Sequence, residues 1–195
     1  MEAKIQKQIV DYFSYFDEFH TTAKSSLRDC QNYAATINKL IKRCKNIKEA
    51  DVTGTPLETF DDLQNKLCAF QHNLISCEVA DIRSKQTTLE DLFEKLCNKN
   101  KALRDSCKDI NFEEKTPLVK GSPTQPSLKQ LLEFADDTIT FASHACAQIE
   151  SALSILSLKK LDTISFSEHF WYPVHWNRRI TEITTYTSFI SENLS

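Results

Sequence analysis

The chain has 195 residues, of which 41% are apolar and 26% charged, with a net charge of −3. Charges so nearly balanced leave no clustered excess of cations for general binding to nucleic acid or to an anionic membrane. Two glycines, Gly54 and Gly121, are too few for most phosphate-cradling loops and tight hairpins, so the composition points to one domain of packed helices.

The opening MEAKIQKQIVDYF has neither a long apolar run nor a small-residue cleavage site, so no secretory signal is expected. No run of about 18 uncharged apolar residues is present to span a membrane. Seven cysteines (Cys30, Cys44, Cys68, Cys77, Cys97, Cys107 and Cys146) form no C-x-x-C pair and mostly fall on or beside apolar seams. They read as reduced, small hydrophobes, which fits a cytoplasmic and nuclear protein.

The first helix is predicted from about Ala3 to Lys48. Ile9, Phe13, Phe16, His20, Ala23, Leu27, Cys30, Ala34, Ile37, Ile41 and Cys44 recur in alternating steps of four and three. That is the seam of one helix face held for about five heptads. Ile5, Tyr12, Phe19, Ser26, Tyr33, Leu40 and Ile47 add a second row, making a face wide enough for two neighbours. Gly54 and Pro56 end it.

The second helix is predicted to start between Pro56 and Asp61 and to run to about Ile110. Leu63, Leu67, Phe70 and Leu74 form its first seam. Val79, Ile82, Gln86, Leu89, Phe93, Leu96, Asn100, Leu103, Cys107 and Ile110 form a second. The two are out of register, which predicts a local change of winding or of packing partner between Leu74 and Val79. Gln86 and Asn100 in core register read as partial exposure or as register-setting contacts.

Residues 111–126 carry Pro117, Gly121, Pro123 and Pro126 without periodicity and read as a flexible linker. Ser127 and Gln130 then fit a capping box. Leu128, Leu132, Ala135, Ile139, Ala142, Cys146, Ile149, Leu153 and Leu156 give the seam of a third helix. After an aromatic break over 161–175, Trp176, Ile180, Ile183, Thr187, Ile190 and Leu194 give the fourth. The expected architecture is all-α: an elongated antiparallel bundle of four main helices within a single helical domain. Residues 1–110 form a long coiled-coil-like hairpin, and 127–195 complete the bundle. The first two helices outrun the last two, so one end of the hairpin should project with apolar positions free to meet another chain.

No catalytic, cofactor or metal constellation emerges. G-x-x-x-x-G-K-[ST], G-x-G-x-x-G and G-x-S-x-G are absent. The spacing of His169 and His175, with Glu168 beside them, could allow two metal ligands, but a zinc site usually has a tighter pair on a regular element with further His or Cys nearby. His20 and His144 read as seam or groove residues. The acidic pairs Asp61-Asp62, Glu90-Asp91, Glu113-Glu114 and Asp136-Asp137 read as solvated faces. The chain is therefore expected not to be an enzyme.

Phe170, Trp171, Tyr172 and Trp176 are candidate partner-docking residues, since Trp and Tyr bury large area and keep a polar tip. Capping one end of the core is the competing role. Lys39, Lys42, Arg43, Lys45 and Lys48 suit the negative end of a helix dipole, or an acidic partner or RNA. Thr55, Thr116 and Ser122 each precede proline in a connection and are candidate phosphorylation positions.

Ser26-Leu27-Arg28-Asp29-Cys30-Gln31 followed by a Leu/Ile seam resembles the Airim family of ribosome maturation factors. Pro126-Ser127-Leu128 leading into Leu131-Leu132-Glu133-Phe134, and the Trp176 region with its final apolar helix, are similar to the same family, in the same order. The resemblance implies a non-ATPase subunit that works with a helical protein, Cinp, and with a Spata5-type AAA+ ATPase. That assembly acts in maturation of the large (pre-60S) ribosomal subunit and is linked to replication-factor turnover. It implies indirect contact with the pre-60S particle; composition and charge, separately, lead to no expected membrane contact and argue against direct nucleic-acid binding. The alternative reading is a cytoskeletal or tethering coiled-coil protein, and a ligand-binding bundle is a more distant one.

Overall fold

No proline or glycine interrupts residues 2–49, and the apolar spacing there never leaves the helical period. In the computed structural model, which describes residues 2–122, 125–157, 166–170 and 174–192, that stretch is one helix, α1 (Glu2–Glu49). Then follow α2 (Leu63–Cys107), the short α3 (Pro117–Lys120), α4 (Leu128–Ser157) and α5 (Asn177–Glu192). Single 3-10 turns occupy Pro56–Thr59, Phe166–Phe170 and Val174–Trp176. The fold is all-α, with an isolated bridge between Ser122 and Gln125 the nearest approach to a strand among the described residues.

Along α1 both expected rows are core. Ile9, Phe16, Ala23, Leu27, Cys30, Ala34 and Ile37 are buried, as are Ile5, Tyr12, Phe19 and Ser26 beside them. The helix α4 opens as its sequence requires. The Ser127 Oγ accepts the Gln130 N–H at 3.3 Å, and the Ser127 N–H donates to Gln130 Oε1 at 3.2 Å, a reciprocal cap.

Residues 111–126, expected to be a flexible linker, contain α3 with Leu118 and Val119 buried. Gly121 follows with φ +82°, and a Cβ there would meet the Ser127 nitrogen at 2.8 Å, so the residue must be glycine.

The chain divides into two compact units, and α1, α2 and α4 each contribute a stretch to both. The first comprises Met1–Ser25, Thr88–Ala147 and Tyr172–Ser195. Here α1 runs parallel to α4: the Tyr12 and Thr138 hydroxyls lie 2.6 Å apart, and the Phe16 and Phe141 rings meet edge to face at 6.2 Å. Arg104 of α2 pairs with Asp136, and Arg179 of α5 donates to Asp137 Oδ2 at 2.7 Å. The Lys99 ammonium lies over the Tyr15 ring at 5.3 Å.

The core face of α4 keeps Leu128, Ala135, Ala142 and Ile149 of the expected seam, all fully buried, and adds a second row beside them. Leu131, Thr138, Ala145 and Ala152, seven apart, are all fully buried, whereas the expected Leu132, Ile139, Cys146, Leu153 and Leu156 are only half-buried flanks. In the first unit the Tyr12 hydroxyl donates to the Ala135 carbonyl at 3.1 Å and lies beside Thr138, so at this level α1 supplies the bulk and α4 the small residues.

The second unit comprises Ser26–Thr87 and Gln148–Trp171. Here α1 and α2 are antiparallel. Lys85 Nζ meets Asp29 Oδ2 at 2.7 Å, and the Cys68 thiol donates to the Cys44 carbonyl at 3.6 Å.

In this unit the expected first seam of α2 is corrected. Cys68 and Gln71 are buried and Ile75 half-buried, while Leu67 and Phe70 are exposed. The buried positions Cys68, Ile82, Leu89, Leu96 and Leu103 keep one seven-residue register. The expected change of winding does not occur, because α2 is one unbroken helix. Its rotation is set by the longer apolar row from Ile82 to Leu103, and that row projects back onto Cys68, not onto Leu67. The helix also starts later than expected. Pro56 opens a separate 3-10 turn, and Asp62 takes φ 58° before Leu63.

Candidate partner-docking surface

Polar bonds make the reversal between α1 and α2. Asp51 Oδ1 accepts the Thr53 N–H at 2.9 Å, and Gly54 takes φ +71°. The Thr55 hydroxyl accepts the Leu57 N–H at 3.3 Å, capping the Pro56–Thr59 turn. Gln64 Nε2 donates to the Ala50 carbonyl at 2.7 Å, tying the start of α2 to the end of α1. With the reversal held this way, its large apolar side chains stay outside: Leu57 is 49% exposed and Phe60 60%.

Exposed apolar side chains recur along α2. Leu67 is 41% exposed and Phe70 58%, and Leu63 and Leu74 on the same steps of four and three are half-buried. Single exposed leucines are ordinary on a protein surface. A row at i, i+4, i+7 and i+11 is different, because it presents the side of a helix that another helix can pack against.

The positions singled out from sequence distribute otherwise. Phe170 is fully buried in the second unit. Trp171 and Tyr172 lie outside the described residues. Trp176, in the first unit, is half-buried against Phe141 at 6.2 Å, and its Nε1–H donates to His144 Nδ1 at 3.4 Å. Thr55 and Thr116 both serve as N-caps of short helical turns, and Ser122 is exposed beside the Gln125 bridge. The aromatic signal drew attention to one segment. The exposed row was visible as a seam, and only its burial partner was misassigned.

Chemistry elsewhere is sparse. Among the described residues no group of three His, Cys, Asp or Glu side chains could hold a metal, and no helix is long and apolar enough to cross a membrane. A hollow of about 300 Å³ in the first unit is lined by Val10, Phe13, Asp17, Thr184 and Thr187. Another of about 600 Å³ beside α3 includes Arg179, whose guanidinium is engaged by Asp137 and Glu182. Neither lining includes a cysteine or a histidine. Desolvation pushes the Cys30 and Cys146 thiols up to about 12, away from the thiolate form.

Comparison with curated proteins finds no match. The family model described as "Ribosome biogenesis protein C1orf109-like" matches residues 3–182, nearly the whole chain, including the first two segments that carry the Airim resemblance and the start of the third. The chain belongs to this C1orf109-like family of ribosome biogenesis proteins, of which Airim is the namesake.

Proposed function

We propose that the chain is a non-catalytic adaptor subunit of an AAA+ ATPase complex acting in pre-60S maturation, with a further role in replication-factor turnover. It would pair with a Cinp-like helical protein and act through a Spata5-type ATPase in the cytoplasm and nucleus. The observation that carries this reading is the exposed apolar row from Leu57 to Leu74, placed where a helical partner can reach it. Membership of a ribosome biogenesis family supports the process. The lack of any nucleotide-binding motif in the sequence supports a division of labour in which a companion supplies ATP hydrolysis.

Affinity purification of the tagged full chain from native cells, with mass spectrometry, tests the proposal. The expected eluate contains a Cinp-like protein, an AAA+ ATPase and large-subunit ribosomal proteins. An eluate lacking both the helical partner and the ATPase sinks the adaptor reading. A rod-shaped homodimer without either would favour a tethering coiled coil.

A further inference from the structure

Two contacts inside the second unit fix which parts of α1 border the exposed row. Lys85 of α2 reaches Asp29 of α1, and Cys68 lies against Cys44. Stepping back along α2 from Lys85 by fours and threes gives Asp81, Glu78, Leu74, Phe70, Leu67 and Leu63, so the row lies on the flank marked by the Asp29–Lys85 bridge. On α1, Asp29, Thr36 and Arg43 are seven apart and share a face, with Lys39 one turn before Arg43. The antiparallel register set by the two contacts puts Arg43 level with Phe70.

The flank therefore has a charge pattern as well as an apolar stripe. Lys39 and Arg43 on α1 are exposed and make no ion pair among the described residues. At the far end of the stripe, Glu78 and Asp81 make no ion pair among the described residues. Burial, with the neighbouring Asp81 carboxylate, raises the Glu78 pKa.

We infer that this flank of the hairpin is the seat of one amphipathic helix of a partner protein, with acidic residues beside its apolar stripe facing Lys39 and Arg43 and a basic residue at the end facing Glu78 and Asp81. The inference rests on the adaptor reading and adds to it the face and the chemistry of the partner. Apolar contact along Leu63, Leu67, Phe70 and Leu74 supplies affinity, and the charges at its edge and end set orientation. RNA is disfavoured as the occupant by the Glu78–Asp81 pair and by the apolar stripe itself.

The test uses the full chain and three helical peptides of about 18 residues sharing one leucine seam. Their flanks carry glutamates with a terminal lysine, lysines with a terminal glutamate, or glutamines. Fluorescence anisotropy is expected to show the glutamate-flanked peptide binding at least about tenfold more tightly than the lysine-flanked one. The double variant Lys39→Glu/Arg43→Glu should reverse that preference. Leu67→Glu/Phe70→Glu should abolish binding of all three, with circular dichroism and melting unchanged because both positions are exposed. Binding that ignores flank charge, that survives Leu67→Glu/Phe70→Glu, or that is lacking for every peptide overturns the inference. So does a self-dimer in sedimentation that Leu67→Glu dissolves, or binding of a single-stranded oligouridylate that Arg43→Glu removes. The adaptor reading fails separately, on the co-purification alone.

Discussion

The Cys68 thiol lies 3.6 Å from the Cys44 carbonyl oxygen and is buried, while Leu67 beside it is 41% exposed. A rotation of one residue about the α2 axis would exchange them. The contact records the outcome of that competition, in which a small thiol takes the interface and a leucine and a phenylalanine are left outside. Stability should follow burial here, not residue type. Ile82→Ala and Leu96→Ala, both at fully buried positions, should each cost about 2–5 kcal/mol by denaturant unfolding. Leu67→Ala and Phe70→Ala should change stability by no more than about 0.5 kcal/mol. A large loss from Phe70→Ala would show that the row is core.

Much of this fold is legible in the amino-acid order because α1 offers one unambiguous face. Its apolar residues form adjacent rows with nothing comparable opposite them. Gly54, Pro56 and the Ser127–Gln130 pair punctuate the chain through backbone restrictions that act locally. α2 and α4 are harder, since each carries two apolar rows and periodicity cannot rank them. The ranking comes from the neighbour: the face of α4 that meets Tyr12 and Phe16 of α1 is the one carrying Ala135, Thr138 and Phe141. The row Leu63, Leu67, Phe70 and Leu74 is legible as a seam, but periodicity alone does not decide whether Cys68 or Leu67 faces α1.

Gln71 is a second consequence of that rotation. It is buried, and its Oε1 has no hydrogen-bond partner among the described residues. A buried acceptor left unpaired costs about 1–3 kcal/mol of desolvation. Gln71→Met keeps length and flexibility while removing the polar atom, so it should raise stability by about 1 kcal/mol in urea unfolding. An equal loss would show that the amide makes a bond in solution.

The cysteines should separate by accessibility. Cys77 is exposed, whereas Cys30 is fully buried and its pKa is pushed up to about 12 by burial. Cys146 is half-buried with its pKa likewise raised to about 12 by burial, reinforced by Glu90. The thiolate is the reacting species. Iodoacetamide at pH 8 should therefore label Cys77 first, with Cys30 and Cys146 modified only after unfolding. Peptide mass spectrometry over a time course reads the order. Early labelling of Cys30 would mean that α1 opens locally in the second unit.

His20 gives the first unit a pH dependence whose sign can be derived. Its ring stacks on Phe16 at 6.1 Å and meets Phe141 edge to face at 5.8 Å. Desolvation lowers its pKa below the ordinary 6.5, with Asp17 opposing the shift and Lys24 adding to it. The folded state then holds the neutral ring more tightly than the unfolded chain does. The unfolded chain takes up its proton first as pH falls, so the contribution is complete above pH 6.5 and is lost as pH drops through the lowered value. Melting temperature should fall on acidification across this window. His20→Phe keeps an aromatic ring against Phe16 and Phe141 and cannot titrate, so its melting temperature should fall less steeply over the same interval. Identical slopes in the two proteins would mean that the imidazole is solvated in the native state and that the packing around Phe141 is looser than the ring contacts require.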